Sequence, residues 1–268
     1  MNLAIHSAPR SGSTWLGNLF NSHPNVKFSY QPLFSYAFKN YLNPNSSNEE
    51  IESFFESIFN SNDDFINQKA GIEKGIIPEF RKNTTLSHNC YKEVRYHHIL
   101  ENILEKNSNF KLILLIRNPL AVLESWRQAP REFRKDLGWN FKQEWLSAPK
   151  KNEDKPESFY GYEKWKESTI MFHKLHSEYP QRVKLVRYLD LINDTVNTVE
   201  ELFDFVDLDI DPQTSKFIED SKSANHSDAY SVYKTKSEDD GWKQLPNSII
   251  DYVTNDLENT QLERYIDE

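Results

Sequence analysis

Five consecutive apolar residues, Leu112-Ile113-Leu114-Leu115-Ile116, run straight into Arg117-Asn118-Pro119. A strand with no polar position has both faces covered, the pattern of a parallel sheet packed between helices. Asn118 then supplies an N-cap side chain, and Pro119 has the fixed φ that suits the first helical position. The junction therefore predicts a strand, a tight turn and a helix through Trp126. The chain opens in the same way. Leu3-Ala4-Ile5-His6 reads as a strand and Ser7 to Gly12 as a turn. A helix follows, carrying Trp15, Leu16, Leu19 and Phe20 and ending at His23-Pro24. Further strands are predicted around 90–95 and 183–186, and helices around 50–60, 99–104 and 199–206. Alternating strands and helices predict a three-layer α/β fold with a central parallel β-sheet flanked by helices. No repeat or linker divides residues 1–268, so one domain is expected. The mixed basic and aromatic stretch 127–165 reads as an insertion or lid.

Composition narrows the function. A hydrophobic content of 37% with 17 Phe and 13 Tyr supplies a core for a domain of 268 residues. The net charge of −9 argues against a nucleic-acid partner, while leaving room for a small anion in a locally positive pocket. The single cysteine, Cys90, excludes an internal disulfide and reads as a small buried hydrophobe. No stretch approaches the roughly 18 apolar residues of a membrane span. Met1 is followed at once by a core strand, so no leader is expected and a cytoplasmic location is.

Two motifs carry chemistry. Ser7-Ala8-Pro9-Arg10-Ser11-Gly12-Ser13-Thr14-Trp15 lies between a strand and a helix. A turn there aims unpaired backbone N–H groups and the positive end of the helix dipole at one spot. Ser11, Ser13 and Thr14 add hydroxyls and Arg10 adds a charge, which makes a phosphate or sulfate cradle. It lacks the second glycine and the lysine of the Walker pattern. The second motif, Arg117 to Ser125, sits at the carboxyl end of the best strand, where open α/β sheets bind ligands. An arginine and a hydroxyl there suit a second phosphate.

Together the motifs resemble the sulfotransferases that use 3′-phosphoadenosine-5′-phosphosulfate (PAPS), whose fold is of the P-loop type, and most nearly their carbohydrate branch. The resemblance implies that Arg10 to Trp15 bind the 5′-phosphosulfate and that Arg117 and Ser125 bind the 3′-phosphate. Tyr188, within Val186-Arg187-Tyr188-Leu189-Asp190-Leu191, is similar to a tyrosine near the adenine. Trp242 and Lys243, within Gly241-Trp242-Lys243-Gln244-Leu245, are similar to a segment that closes over the nucleotide. It implies PAPS as cosubstrate, no metal, and a small-molecule or carbohydrate acceptor.

Both bases of the family are replaced. Gln31, in Phe28-Ser29-Tyr30-Gln31-Pro32-Leu33, stands where the carbohydrate branch has glutamate, and a carboxamide cannot take a hydroxyl proton. Lys92 matches a family lysine near the transferring group, and Val94 stands where a histidine is expected. Glu93 is the nearest substitute base, with His88, His97 and His98 behind it, although strand alternation puts Lys92 and Glu93 on opposite faces. The catalytic set expected is thus Arg10, Lys92 and Glu93. Trp126, Trp139, Trp145 and Trp165, with Phe133, Phe141 and Phe159, read either as sugar-stacking rings or as core. Arg127, Arg131 and Arg134 read as acceptor contacts. A P-loop nucleoside or sugar kinase, a phenol- or alcohol-directed enzyme and a non-catalytic nucleotide binder are the alternatives.

Overall fold

The computed structural model describes residues 1–224, 228–233 and 240–266. Five strands, β1 (Asn2–Ser7), β2 (Val26–Tyr30), β3 (His88–Glu93), β4 (Phe110–Ile116) and β5 (Val183–Arg187), form one sheet in the order β2-β3-β1-β4-β5. Every pairing is parallel. The chain crosses from β1 to β2 at one edge, returns to β3 between them, and then crosses β1 to β4 and β5 on the other side. The strand order therefore reverses between β1 and β4, and the two phosphate-type motifs flank that point.

The principal helices are α1 (Ser13–Ser22), α2 (Asn48–Phe59), α3 (Leu100–Lys106), α4 (Pro119–Arg127), α5 (Tyr162–Glu178), α6 (Thr195–Phe205), α7 (Pro212–Ser223) and α8 (Asn247–Leu257). Alternate strand residues feed two cores. Ala4, Tyr91, Leu112 and Leu114 pack with α2, α3, α4, α5 and α8. Leu3, Ile5, Cys90, Ile113 and Leu115 pack with α1, α6 and α7 on the opposite face. All five residues of the Leu112–Ile116 run are buried, as an unbroken apolar strand requires. Local chemistry fixes the helix starts. Asn118 Oδ1 accepts from the N–H groups of Leu120 (2.8 Å) and Ala121 (3.3 Å). Ser47 and Glu50 form a reciprocal capping box at α2.

Four of these elements, β2, α5, α7 and α8, were not expected from the sequence. Strand β2 has polar Lys27 and Ser29 alternating with Val26 and Phe28, and it forms the sheet edge. Helix α5, the longest, carries Trp165, Phe172 and Leu175 on its buried side. Among the described residues no helix is long and apolar enough to cross a membrane.

Candidate active site

The loop after β1 turns sharply enough to put Arg10 at φ 70° and Gly12 at φ 89°. Gly12 is the N-cap of α1 and gives it no side-chain cap. The Trp15 N–H is already bonded to the Gly12 carbonyl oxygen at 3.0 Å, while the Ser13 and Thr14 N–H groups at the start of the helix are available to an anion. Ser11 Oγ is buried and has no hydrogen-bond partner. A second constraint acts on Gly12, because a Cβ there would lie 2.4 Å from Tyr188 Cε2. An uncapped helix start, an orphaned buried hydroxyl and a cation fit a phosphate- or sulfate-bearing ligand.

The second motif meets the first across the β1–β4 crevice. Arg117 Nη1 donates to the Arg10 carbonyl oxygen at 2.7 Å, and its guanidinium lies 4.6 Å from the centre of the Tyr188 ring. Trp165 Nε1 donates to the Arg117 carbonyl oxygen at 3.0 Å, fixing the turn from behind. Arg10 reaches across to Ser125, donating from Nε to Oγ at 3.3 Å. It also donates to Glu132 Oε1 at 3.4 Å and to the Ala229 carbonyl oxygen at 3.1 Å. Arg10, Gly12, Ser13, Thr14, Trp15, Lys92, Arg117, Ser125 and Tyr188 thus line one cleft of about 490 Å³. That volume lies within the ordinary range of small-molecule sites.

Lys92 and Glu93 part company at the end of β3. Lys92 turns to the α1 face, enters the cleft and places Nζ 4.9 Å from the centre of the Tyr30 ring. Burial lowers its pKa, while Glu93 and Glu132 pull it back up. Glu93 turns to the other face, fully buried, where Oε1 accepts the Leu33 N–H at 2.8 Å. Burial raises its pKa against the pull of Lys92. Glu93, expected as the base, lies outside the cleft lining and ties β3 to the turn at Pro32–Phe34.

Other expected residues also lie elsewhere. Trp242 packs on α4 and the core beside it, and Lys243 is exposed next to Asp240 at 3.6 Å, so neither lines the cleft. Ala229 to Val232 line it instead. His88, at the far end of β3, bonds the Val206 carbonyl oxygen. His97 is buried with its Nδ1 2.9 Å from His6 Nδ1, and burial drives its pKa down to about 3. His98 likewise lies outside the lining. Trp126, Phe133, Phe159 and Trp165 are buried in the core, while Trp139, Phe141 and Trp145 pack against it, so the sugar-stacking reading of these rings is set aside. Arg127 pairs with Glu124 and Arg134 with Asp136; only Arg131 of the three reaches the cleft.

Several lining residues have no sequence signature. Glu132 receives the Arg10 contact and also the Tyr160 hydroxyl at 3.3 Å. Arg95 and Lys151 line the same end. Tyr30 stands beside Lys92 and is pushed up to about 12, by burial first and then by Glu132, against hydrogen bonds with Gln31 and Thr14. None of these residues belongs to either motif, and they are brought in by strand ends and by the connection after α4, so local pattern gives no notice of them.

A family model described as sulfotransferase family matches residues 3–212. Carbohydrate sulfotransferase 5 of Mus musculus is 30% identical over 142 residues, which are 50% of this chain and 35% of that protein, so the match spans about a third of the relative's length. Among solved structures, mouse sulfotransferase SULT7A1 complexed with PAP superposes with a TM-score of 0.56 at 12% identity, covering 99% of this chain and 88% of that one. Retinol dehydratase in complex with androsterone and inactive cofactor PAP gives a TM-score of 0.56 at 14% identity, covering 97% and 82%. Those two likenesses concern the fold, while the family model covers most of the sequence and both of its phosphate-type motifs. The chain belongs to the sulfotransferase family.

Proposed function

We propose that this protein transfers a sulfonate group from PAPS to an acceptor hydroxyl, and that the acceptor is a carbohydrate. The observation that carries the reading is the convergence of the uncapped α1 start and Arg10 with Arg117 and Ser125 across one crevice. Two anion-binding features of that kind suit a nucleotide phosphorylated at both ends. The PAP named in the two structural neighbours has this character. The carbohydrate half rests on the partial match to the mouse carbohydrate sulfotransferase and on the Gln31-Pro32-Leu33 segment.

In this reading the α1 N–H groups, Ser13 and Thr14 hold the 5′-phosphosulfate, and Arg117 and Ser125 hold the 3′-phosphate. The bond from sulfur to the bridging oxygen breaks as the bond from sulfur to the acceptor oxygen forms, and PAP leaves with the bridging oxygen. Arg10 and Lys92 stabilise the charge that grows on that oxygen, a role largest in the loose transition states of such transfers. Glu132, the carboxylate beside Arg10, takes the acceptor proton. Tyr188 flanks the nucleotide against Gly12.

The test is a pair of measurements on the full chain. PAP is expected to raise the melting temperature far more than ADP at equal concentration, and PAPS is expected to yield PAP when a hydroxyl acceptor is present. Equal shifts with PAP and ADP would sink the assignment. Turnover of ATP in the presence of Mg²⁺ would transfer it to the kinase class.

A further inference from the structure

The cleft of this acidic protein has a cationic end whose charges are steered by aromatic rings. Arg95 lies over Phe34 at 4.6 Å and over Tyr160 at 5.7 Å, and its Nη1 donates to Ser158 Oγ at 3.3 Å. Lys151 places Nζ 4.7 Å from the centre of the same Tyr160 ring. Among the described residues neither cation has a carboxylate within ion-pair distance. Of the neighbouring basic residues, Arg127 is paired with Glu124 and Arg134 with Asp136, while Arg131 also reaches the cleft and lies over the separate Tyr230 ring at 4.7 Å. The nearby acid, Glu132, is already shared between Arg10 and the Tyr160 hydroxyl. A cation held by ring faces is oriented without being neutralised, so its hydrogen-bond donors stay available to a ligand anion.

We propose, resting on the sulfotransferase reading above, that the acceptor carries an anionic group, a carboxylate or a sulfate, gripped by Arg95 and Lys151 at the rim of Tyr160. The geometry joins recognition to chemistry through one side chain: the Tyr160 ring orients both cations and its hydroxyl donates to Glu132. An acceptor anchored there by its anion presents a neighbouring hydroxyl toward Glu132. Burial pulls the Lys151 ammonium below its usual range, with Glu132 opposing and Arg95 adding to the shift, so an arriving anion relieves a charge the site otherwise holds at a cost. The chain's net charge of −9 opposes the approach of anions in general, so capture of an anionic acceptor needs a local cationic site such as this one.

Matched acceptors test the subsite: methyl glucuronide against methyl glucoside, and 4-hydroxybenzoate against phenol, each read as PAP released from PAPS. A charge-assisted contact of ordinary strength predicts a kcat/KM at least about tenfold higher for the anionic member of each pair. The double variant Arg95→Gln, Lys151→Gln is expected to reduce that preference to near unity. The thermal shift with PAP, measured on the same variant, separates the acceptor end from the nucleotide end. Equal kcat/KM within both pairs overturns the subsite, as does a preference that survives the double variant. A collapse of PAP binding in that variant also overturns it, because the cations then serve the nucleotide. If no pair is sulfonated, the same compounds are compared by thermal shift with PAP saturating. Equal shifts then overturn the subsite, whereas failure of PAP itself to bind overturns the sulfotransferase reading instead.

Discussion

Gly12 and Tyr188 are packed so closely that a methyl group on Gly12 would lie 2.4 Å from the tyrosine ring. Gly12 also holds φ 89°, a conformation that L side chains rarely adopt. The ring therefore seats against the anion-binding turn only because no side chain intervenes. Gly12→Ala combines a left-handed backbone cost of about 1–2 kcal/mol with this clash. PAP affinity is expected to fall at least about tenfold, or 1.4 kcal/mol. Calorimetric titration of PAP checks this, and unchanged affinity would show that the turn does not hold the nucleotide.

Arg10→Ala should reduce turnover more than it reduces PAP binding. Its guanidinium bridges Ser125, Glu132 and the Ala229 carbonyl oxygen, and in the proposed reading it faces the charge that grows on the bridging oxygen. An interaction strengthened in the transition state lowers kcat when removed. Steady-state kinetics decide the matter: a raised KM for PAPS with kcat preserved would make Arg10 a ground-state anchor only.

Two carboxylates can be compared directly. Glu132→Gln removes the proposed proton acceptor in the cleft, and kcat is expected to fall about 10²-fold or more, the usual scale for a general base. Glu93→Gln keeps an oxygen for the Leu33 N–H on the other side of the sheet, and kcat is expected to stay within a few fold. The opposite ranking in a kcat comparison would return the role to Glu93.

Acid should unfold the protein through a buried imidazole pair. His97 has its pKa depressed by burial to about 3, below the usual imidazole value of about 6.5. The unfolded chain therefore takes up a proton that the folded chain refuses, and stability present above pH 6.5 is lost as pH falls toward 3. The slope from this group is about 1.4 kcal/mol per pH unit. Urea unfolding at pH 7.5, 6 and 5 measures it, and His97→Gln should flatten the profile by about that amount. An unchanged profile would mean that His97 does not titrate with unfolding.

The sheet's central strands and both phosphate-type turns were legible because each is encoded locally, by the Leu112–Ile116 run, the Asn118-Pro119 cap and the Gly12 turn. Strand β2 was missed because an edge strand with polar Lys27 and Ser29 lacks an apolar run. The contents of the acceptor end were missed for a different reason. Arg95 follows β3, whereas Glu132, Lys151 and Tyr160 are spread along the long 128–161 connection between α4 and α5, so the four meet only when that connection packs over the β3 end. Trp242 and Lys243 show the converse: a matching segment, yet one that lies against α4 and away from the cleft.

Strand pairing itself decides which charge the site presents. Lys92 is opposite Ile5 of β1 and Tyr30 of β2, and Glu93 is one step further along, opposite His6. Because side chains alternate, a slip of β3 by a single residue would carry Glu93 into the cleft and Lys92 under the Leu33 turn. The polarity at the transferring group would invert with no change in amino-acid composition. A one-residue insertion or deletion in the connection at 84–87 is therefore expected to be far more harmful than its exposed position suggests, because that connection meters the register on which an ammonium rather than a carboxylate faces the donor.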